Sequence, residues 1–404
     1  MKLRRAAIVS PLRTAVGAFG GTLSPVTAGE LGATVLKALT ARSGIDPARI
    51  DDVVFGHGYP SGEAPAIGRW AALAAGLPES VPGYQVDRRC GSGLQAVIEA
   101  AMMVQTGAAD VVVAGGAESM SNVEHYSNAI RRGKRMGDLQ LHDRLVRARQ
   151  MAQPEERCGP ISGMIETAEN LAADFSISRE ACDLYALRSH QHAAQAWRDK
   201  RFADEIVPVS VNRRRGDPIV FDHDEGYRAD ATIESLAALR PLEGGVVTAG
   251  NASQQNDAAA ACLVVAEDML DELGLEPDGW LHSWAVSGCD PSRMGIGPVS
   301  AVAKLFERSG LGWDDIDLIE LNEAFAAQVL AVTHGWGWPE DDSRFGIMNV
   351  NGSGIALGHP IGVTGLRILA TMLNEMKRRS ARFGLETMCI GGGQGIAAVF
   401  ERAT

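Results

Sequence analysis

Residues 44–57 read Gly44-Ile45-Asp46-Pro47-Ala48-Arg49-Ile50-Asp51-Asp52-Val53-Val54-Phe55-Gly56-His57, and residues 310–323 read Gly310-Leu311-Gly312-Trp313-Asp314-Asp315-Ile316-Asp317-Leu318-Ile319-Glu320-Leu321-Asn322-Glu323. The two align without a gap at an offset of 310 − 44 = 266. Each follows a helical stretch ending in Ser-Gly (Ser43-Gly44 and Ser309-Gly310), and each contains a short apolar run of strand length. Two further echoes keep the same order. Cys90-Gly91-Ser92-Gly93 pairs with Asn351-Gly352-Ser353-Gly354, and Val111-Val112-Val113-Ala114-Gly115-Gly116 pairs with Met388-Cys389-Ile390-Gly391-Gly392-Gly393. α/β proteins reuse apolar strands and glycine turns, which accounts for one such echo. Three in order predict a duplication. The expected fold is two α/β halves, each alternating helices with buried strands.

The intervals between the echoes differ, so material has been inserted. From about Asn122 to Gly250 the strand pattern fades and charge rises. The expected organisation is a first half over 1–121 completed by 251–272, an inserted segment over 122–250, and a second half over 273–404. Within the insert, residues 179–203 read as a long amphipathic helix with Leu184, Leu187, Ala194 and Trp197 on its apolar side. His190 and His192 lie two apart, on different faces of that helix. They are poor joint metal ligands and read as surface histidines. Arg131-Arg132-Gly133-Lys134-Arg135 is a basic cluster that fits either a solvated surface or a contact for phosphates or a neighbouring subunit.

Composition narrows the classes. The chain has 404 residues, with 38 Lys+Arg against 50 Asp+Glu and a net charge of −12. That balance disfavours a nucleic-acid backbone or an anionic membrane as partner. Hydrophobic residues make up 46%, enough for a large core. The six cysteines, Cys90, Cys158, Cys182, Cys262, Cys289 and Cys389, include no C-x-x-C pair, so no metal-site spacing is present. Their irregular spacing fits reduced, cytoplasmic thiols. The N-terminal Met1-Lys2-Leu3-Arg4-Arg5 is basic, but Ser10-Pro11 interrupts the apolar run too early for a signal peptide. No apolar stretch has the length of a membrane span, and Glu401-Arg402-Ala403-Thr404 carries no peroxisomal address. A cytoplasmic location is expected.

Three segments invite chemistry. Cys90 follows a Pro/Gly-broken extended stretch and precedes the helical run Gly91–Met103. A thiol at a helix start sits in a positive field, which favours the nucleophilic thiolate. A small buried apolar residue is the other reading of the same cysteine. His359 lies in Gly358-His359-Pro360, a Gly/Pro-crowded loop that places it rigidly, as a general base requires; a packed loop histidine fits too. Cys389 ends an apolar strand before Gly391-Gly392-Gly393-Gln394-Gly395, whose backbone N–H groups suit an oxyanion or a phosphate. Ile396 stands where a dinucleotide fingerprint needs glycine. Asn322-Glu323 closes the repeated strand of the second half, at the end where open α/β sheets carry their sites.

Together these residues resemble the thiolase family. The resemblance is carried by Cys90-Gly91-Ser92-Gly93, Asn322-Glu323-Ala324-Phe325, Gly358-His359-Pro360 and Cys389-Ile390-Gly391-Gly392-Gly393, in family order over nearly the whole chain. Arg13-Thr14, Glu118-Ser119-Met120-Ser121, Thr167-Ala168-Glu169-Asn170 and Thr248-Ala249-Gly250-Asn251-Ala252-Ser253 agree with it. It implies two βαβαβαββ halves in an α/β/α/β/α arrangement with an inserted loop domain. The implied activity is reversible formation or cleavage of 3-oxoacyl-coenzyme A through an acyl-cysteine. Coenzyme A thioesters are then substrates, with no permanently bound cofactor, and the assembly is a homodimer or homotetramer.

By the same resemblance Cys90 is the nucleophile and His359 its base. Cys389 is the base at the α-carbon, and His359 with an Asn322-held water forms one oxyanion site. The backbone N–H groups of Cys90 and Gly391 form the other. Arg228, Ser235 and Ser253 match coenzyme A contacts, and Met164 lies near the acyl pocket. Asp87, Gly163, Gln254-Gln255 and Ser353 depart from the common pattern, which leaves acyl-chain length open. The rival readings are a ketosynthase-like condensing enzyme, a cysteine hydrolase and a non-catalytic lipid-carrier protein. Ketosynthases usually pair their cysteine with two histidines, where this chain has Cys389.

Overall fold

The two echoing segments fold alike. The helix Ala28–Ser43 ends on Gly44 at φ 70°, and Gly297–Ser309 ends on Gly310 at φ 74°, the left-handed conformation that glycine adopts without penalty. A single 3-10 turn follows each, Pro47–Arg49 and Trp313–Asp315, and delivers the chain to the strands Asp52–Gly56 and Leu318–Leu321. The computed structural model describes residues 3–213, 215–339 and 341–403. Met1-Lys2 and Thr404, used above for the terminal readings, lie outside the described residues.

Nine strands lie edge to edge in the order Leu318–Leu321, Phe383–Ile390, Gln394–Arg402, Gly279–Gly288, Ala6–Thr14, Asn256–Ala266, Val111–Ser119, Asp52–Gly56 and Tyr84–Val86. The halves join where Ala7 and Ile8 pair antiparallel with Trp280 and Gly279. Outward from that seam both halves repeat one connectivity: the half's first strand, its last strand, the strand before the last, then its second strand. Met348 beside Ile319 is the second half's vestige of the Tyr84–Val86 strand. The helices Ser92–Thr106 and Thr364–Arg379 pack together as the middle layer, and Leu94, Val97, Leu366, Leu369 and Met372 share one core there. Ala28–Ser43 covers one outer face and Gly297–Ser309 the other, completing the expected five layers. Strands Val111–Ser119 and Asn256–Ala266 are buried on both faces, which is why they read as unbroken apolar runs.

The middle layer is tight. A Cβ on Gly365 would lie 2.3 Å from the Leu94 amide nitrogen, and one on Gly93 3.1 Å from the Gly362 carbonyl. Gly365 is thus required by the opposing half's backbone, and Gly93 has little room to spare.

Three sequence expectations change. The third echo is out of register: Val112 pairs with Asp52 and Gly384 with Leu318, so the strands correspond at 384 − 112 = 272, not at 388 − 111 = 277. The amphipathic helix spans Arg179–Arg198 and buries Cys182, Tyr185, Ala186, Ser189 and Ala193, whereas Leu184 is 51% exposed. His190 is buried, its Nδ1 accepting the Arg228 backbone N–H at 3.2 Å, and His192 is half-buried with Nδ1 3.0 Å from the Asn349 carbonyl. The helix lies against several neighbours, so two faces are covered rather than one. The Arg131–Arg135 cluster is exposed. Among the described residues no helix is long and apolar enough to cross a membrane.

Candidate active site

Cys90 sits in a 3-10 turn, Arg89–Gly91, immediately before the Ser92–Thr106 helix. Arg89 holds φ 49°, a strained conformation for a side-chain-bearing residue. Ser92 stabilises the turn, its Oγ accepting from the Arg88 N–H at 2.8 Å and donating to the Arg89 carbonyl at 2.7 Å. Cys90 is 8% exposed and faces a cavity of about 450 Å³. Burial pushes its thiol above the ordinary value, opposed by the Gly391 N–H and by Arg89 and Arg149. The helix start alone predicted the opposite direction; removal from water outweighs the helix field.

His359 faces the same cavity. Its backbone N–H donates to Asn256 Oδ1 at 2.9 Å, and Gly358 at φ 97° passes so close to Asn256 that a Cβ would lie 2.5 Å from that oxygen. The ring Nδ1 is 2.7 Å from Thr364 Oγ1, and that hydroxyl donates its one proton to the Pro360 carbonyl at 3.1 Å. A Thr364 hydroxyl that donates to Pro360 accepts from Nδ1–H, and that tautomer leaves the lone pair on Nε2. Nε2 has no hydrogen-bond partner among the described residues. Burial, then Arg367 and Arg149, pull the imidazole pKa down to about 3. Thr364 carried no motif in the sequence.

Cys389 ends the strand Phe383–Ile390, opposite Gly395. It is wholly buried and packs with Met164, Ala252, Met294, Ala324 and Phe325, four of them directly in the cavity wall beside Met164 itself. Burial, then the Cys90 and Cys289 sulfurs, push its thiol well above the ordinary value. The turn Gly391–Gly393 follows; Gly391 borders Cys90, and a Cβ on it would lie 3.2 Å from Met164 Sδ. Asn322 stands just past the strand Leu318–Leu321, its N–H bound to the Thr387 carbonyl at 3.0 Å. Both of its buried amide atoms lack a partner among the described residues. Glu323 instead holds the loop around Asn349–Ile355, accepting from Tyr185 Oη at 3.0 Å, Ser189 Oγ at 2.6 Å and Asn349 Nδ2 at 3.0 Å.

Ser253 and Met164 line the cavity with Cys90 and His359. Arg228 and Ser235 do not; both are exposed, and Ser235 is occupied in a capping box with Thr232. Arg149, Ser162, Glu243, Gln254 and Gln255 are further polar residues of the wall. Arg149 lies in the insert, which has no repeat partner to mark it. Among the described residues no group of three His, Cys, Asp or Glu could hold a metal ion.

A thiol and an imidazole share one cavity wall, and a second thiol is packed behind that wall beside a glycine turn, an arrangement suited to covalent transfer of acyl groups. The thiolase N-terminal domain family matches residues 6–268 and the thiolase C-terminal domain family residues 275–402. The acetyl-CoA acetyltransferase of Chromobacterium violaceum is 47% identical over 398 residues, covering 98% of this chain and 99% of its own. Beta-ketothiolase BktB of Cupriavidus necator is 46% identical over 403 residues, covering 99% of each. The crystal structure of the Bacillus anthracis acetyl-CoA acetyltransferase superposes with a TM-score of 0.93 at 40% identity, over 100% of both chains. The chain belongs to the thiolase family.

Proposed function

We propose that this site exchanges acyl groups between coenzyme A thioesters, with Cys90 as nucleophile and His359 as its base. The chain is an acyl-CoA C-acyltransferase. The overall reaction is R–CO–CH2–CO–SCoA + CoASH ⇌ R–CO–SCoA + CH3–CO–SCoA. The observation that carries the residue assignment is the shared cavity wall: Cys90 beside Gly391, facing a His359 whose Nε2 lone pair is fixed by Thr364.

The resting pair is neutral, because burial raises the thiol and lowers the imidazole. Sulfur attack on a carbonyl and proton transfer to Nε2 then occur together. An imidazolium with so low a pKa is a strong acid and hands its proton to the departing group. The acyl-Cys90 product is itself a thioester, so the exchange is near thermoneutral. The Gly391 and Cys90 N–H groups stabilise the oxyanion, and one such donor contributes about 3–4 kcal/mol. In cleavage the Cys389 thiol, held protonated by burial, supplies the proton that the α-carbon of the leaving acetyl-CoA needs; in condensation its thiolate takes that proton back. The unpartnered Asn322 amide supports its role as a polar contact for the enolate oxygen, through water.

The test is thiolysis of acetoacetyl-coenzyme A with coenzyme A. Two acetyl-coenzyme A per turnover are expected; release of free acid would make the protein a hydrolase instead. Homodimeric or homotetrameric assembly belongs to the same reading, supported by the exposed apolar Ile130, Met136, Leu139 and Leu141 in the insert, and light scattering decides it. A cytoplasmic location is supported by six cysteines that are all free.

A further inference from the structure

Among the described residues Arg149 is the one Arg or Lys in the wall of the main cavity, and together with Arg89 it borders a side recess of about 40 Å³ that touches Cys90 and Gly391. Its partners are neutral. Nε donates to Tyr59 Oη at 3.3 Å, and Gln255, with its amide oxygen turned inward, accepts from Nη1 and Nη2 at 3.2 Å each. Arg144, which opens the same short helix (Arg144–Gln150), is by contrast paired with Glu124. Glu118, bound to the Tyr59 N–H, is spent on the Gly58, Tyr59 and Gly362 N–H groups and on His57. Glu243 stands exposed elsewhere on the wall, beside Ser162 Oγ. The rest of the wall is largely apolar: Met120, Val146, Met164, Ile165, Met294 and Phe325. The Arg149 charge is felt at both Cys90 and His359.

A guanidinium held by neutral groups, without an acid of its own, is prepared for an anion from outside the chain. The phosphates of coenzyme A lie at the far end of its pantetheine arm from the carbon that must meet Cys90. A cation facing Cys90 therefore meets the acyl group. Resting on the acyl-exchange reading above, we infer that Arg149 receives a carboxylate at the far end of the acyl chain carried on Cys90, so that the preferred substrates are 3-oxoacyl-coenzyme A thioesters ending in a carboxylate rather than a methyl group.

The chemistry balances as for any 3-oxoacyl chain. The Cys90 sulfur bonds to C3, the C2–C3 bond breaks, and its electron pair on C2 takes a proton to give acetyl-coenzyme A. A second coenzyme A thiol then takes the carboxyacyl group from Cys90 and returns a proton to it.

The experiment compares kcat/KM for thiolysis of paired substrates of equal length, 3-oxohexanedioyl- against 3-oxohexanoyl-coenzyme A, and the seven- and eight-carbon pairs. Wild type is expected to favour the carboxylate by more than tenfold in at least one pair, within the range a charge-assisted Arg–carboxylate pair supplies. Arg149→Met and Arg149→Gln should cut that ratio by tenfold or more, and Arg149→Lys by less. Both substrates are read on one protein, so partial misfolding or a general loss of rate cancels in the ratio. A wild-type ratio below ten at every length, or a ratio that falls less than tenfold in the variants, overturns the inference while leaving acyl exchange intact. Failure on every 3-oxoacyl-coenzyme A, acetoacetyl-coenzyme A included, overturns both.

Discussion

Thr364→Val replaces a hydroxyl by a methyl of nearly the same shape, and its target is the tautomer of His359. In the native site Thr364 Oγ1 lies 2.7 Å from Nδ1 and 3.1 Å from the Pro360 carbonyl that takes its proton. Without the hydroxyl, Nδ1–H is left buried and unpaired, at a cost of about 1–3 kcal/mol. The preference for Nδ1–H over Nε2–H is then lost, because neither nitrogen has a partner, and a ring protonated on Nε2 cannot accept from Cys90. That energy corresponds to a fall of about 5- to 140-fold in acyl-enzyme formation, since about 1.4 kcal/mol is tenfold. Rapid-quench mass spectrometry of acetyl-Cys90 reads the rate, and steady-state KM should move little because Thr364 is behind the ring. Thr364→Ser keeps the hydroxyl and should keep most of the rate. If Thr364→Val acylates within twofold of wild type, the hydrogen bond does not set the tautomer and the assignment of Nε2 as the base fails.

Three further outcomes follow from buried titratable groups. Alkylation of Cys90 by iodoacetamide in the free enzyme should rise with pH along a curve centred above that of an ordinary cysteine, because burial raises the thiol; a midpoint below neutrality would mean a stored thiolate–imidazolium pair. Cys389→Ala should leave acetyl-Cys90 formation intact and lower exchange of solvent deuterium into acetyl-coenzyme A by about 10²–10⁴-fold; exchange at the wild-type rate would point to another base. Glu386 is wholly buried beside Glu320, both its oxygens unpartnered among the described residues, and burial holds it protonated well above the carboxylate range. The unfolded chain ionises there above its ordinary pKa while the fold keeps the proton. Native stability thus falls as pH rises, by about 1.4 kcal/mol per unit while the fold keeps that proton. Glu386→Gln removes that slope, so its Tm relative to wild type should improve from pH 6 to pH 8; the same Tm difference at both would refute a protonated Glu386.

The duplication was legible because local rules repeat. Gly44 and Gly310 stop equivalent helices, and the same apolar strand follows each 3-10 turn. The third echo slipped by five residues because Val-Ala-Gly-Gly and Ile-Gly-Gly-Gly are alike in composition, while strand pairing is fixed by neighbours distant in sequence. Cys90, His359 and Cys389 stood out through their glycine settings. Their protonation did not, because a helix start is visible in sequence and burial is not. His190 looked like a surface residue because helical spacing describes one face, whereas its helix is covered on two. Thr364 and Arg149 escaped notice for different reasons. A threonine opening a helix carries no motif, and Arg149 belongs to the insert, where there is no second copy to compare.

A covalent acyl group at Cys90 is the step on which the proposed chemistry depends. Wild-type protein mixed with acetyl-coenzyme A, quenched in acid and examined by intact and peptide-level mass spectrometry, tests it directly. One acetyl group per chain on the peptide carrying Cys90, discharged on adding coenzyme A and absent in Cys90→Ala, is the predicted result. An acetyl group on another residue, an adduct that persists in Cys90→Ala, or one that coenzyme A does not remove would contradict it.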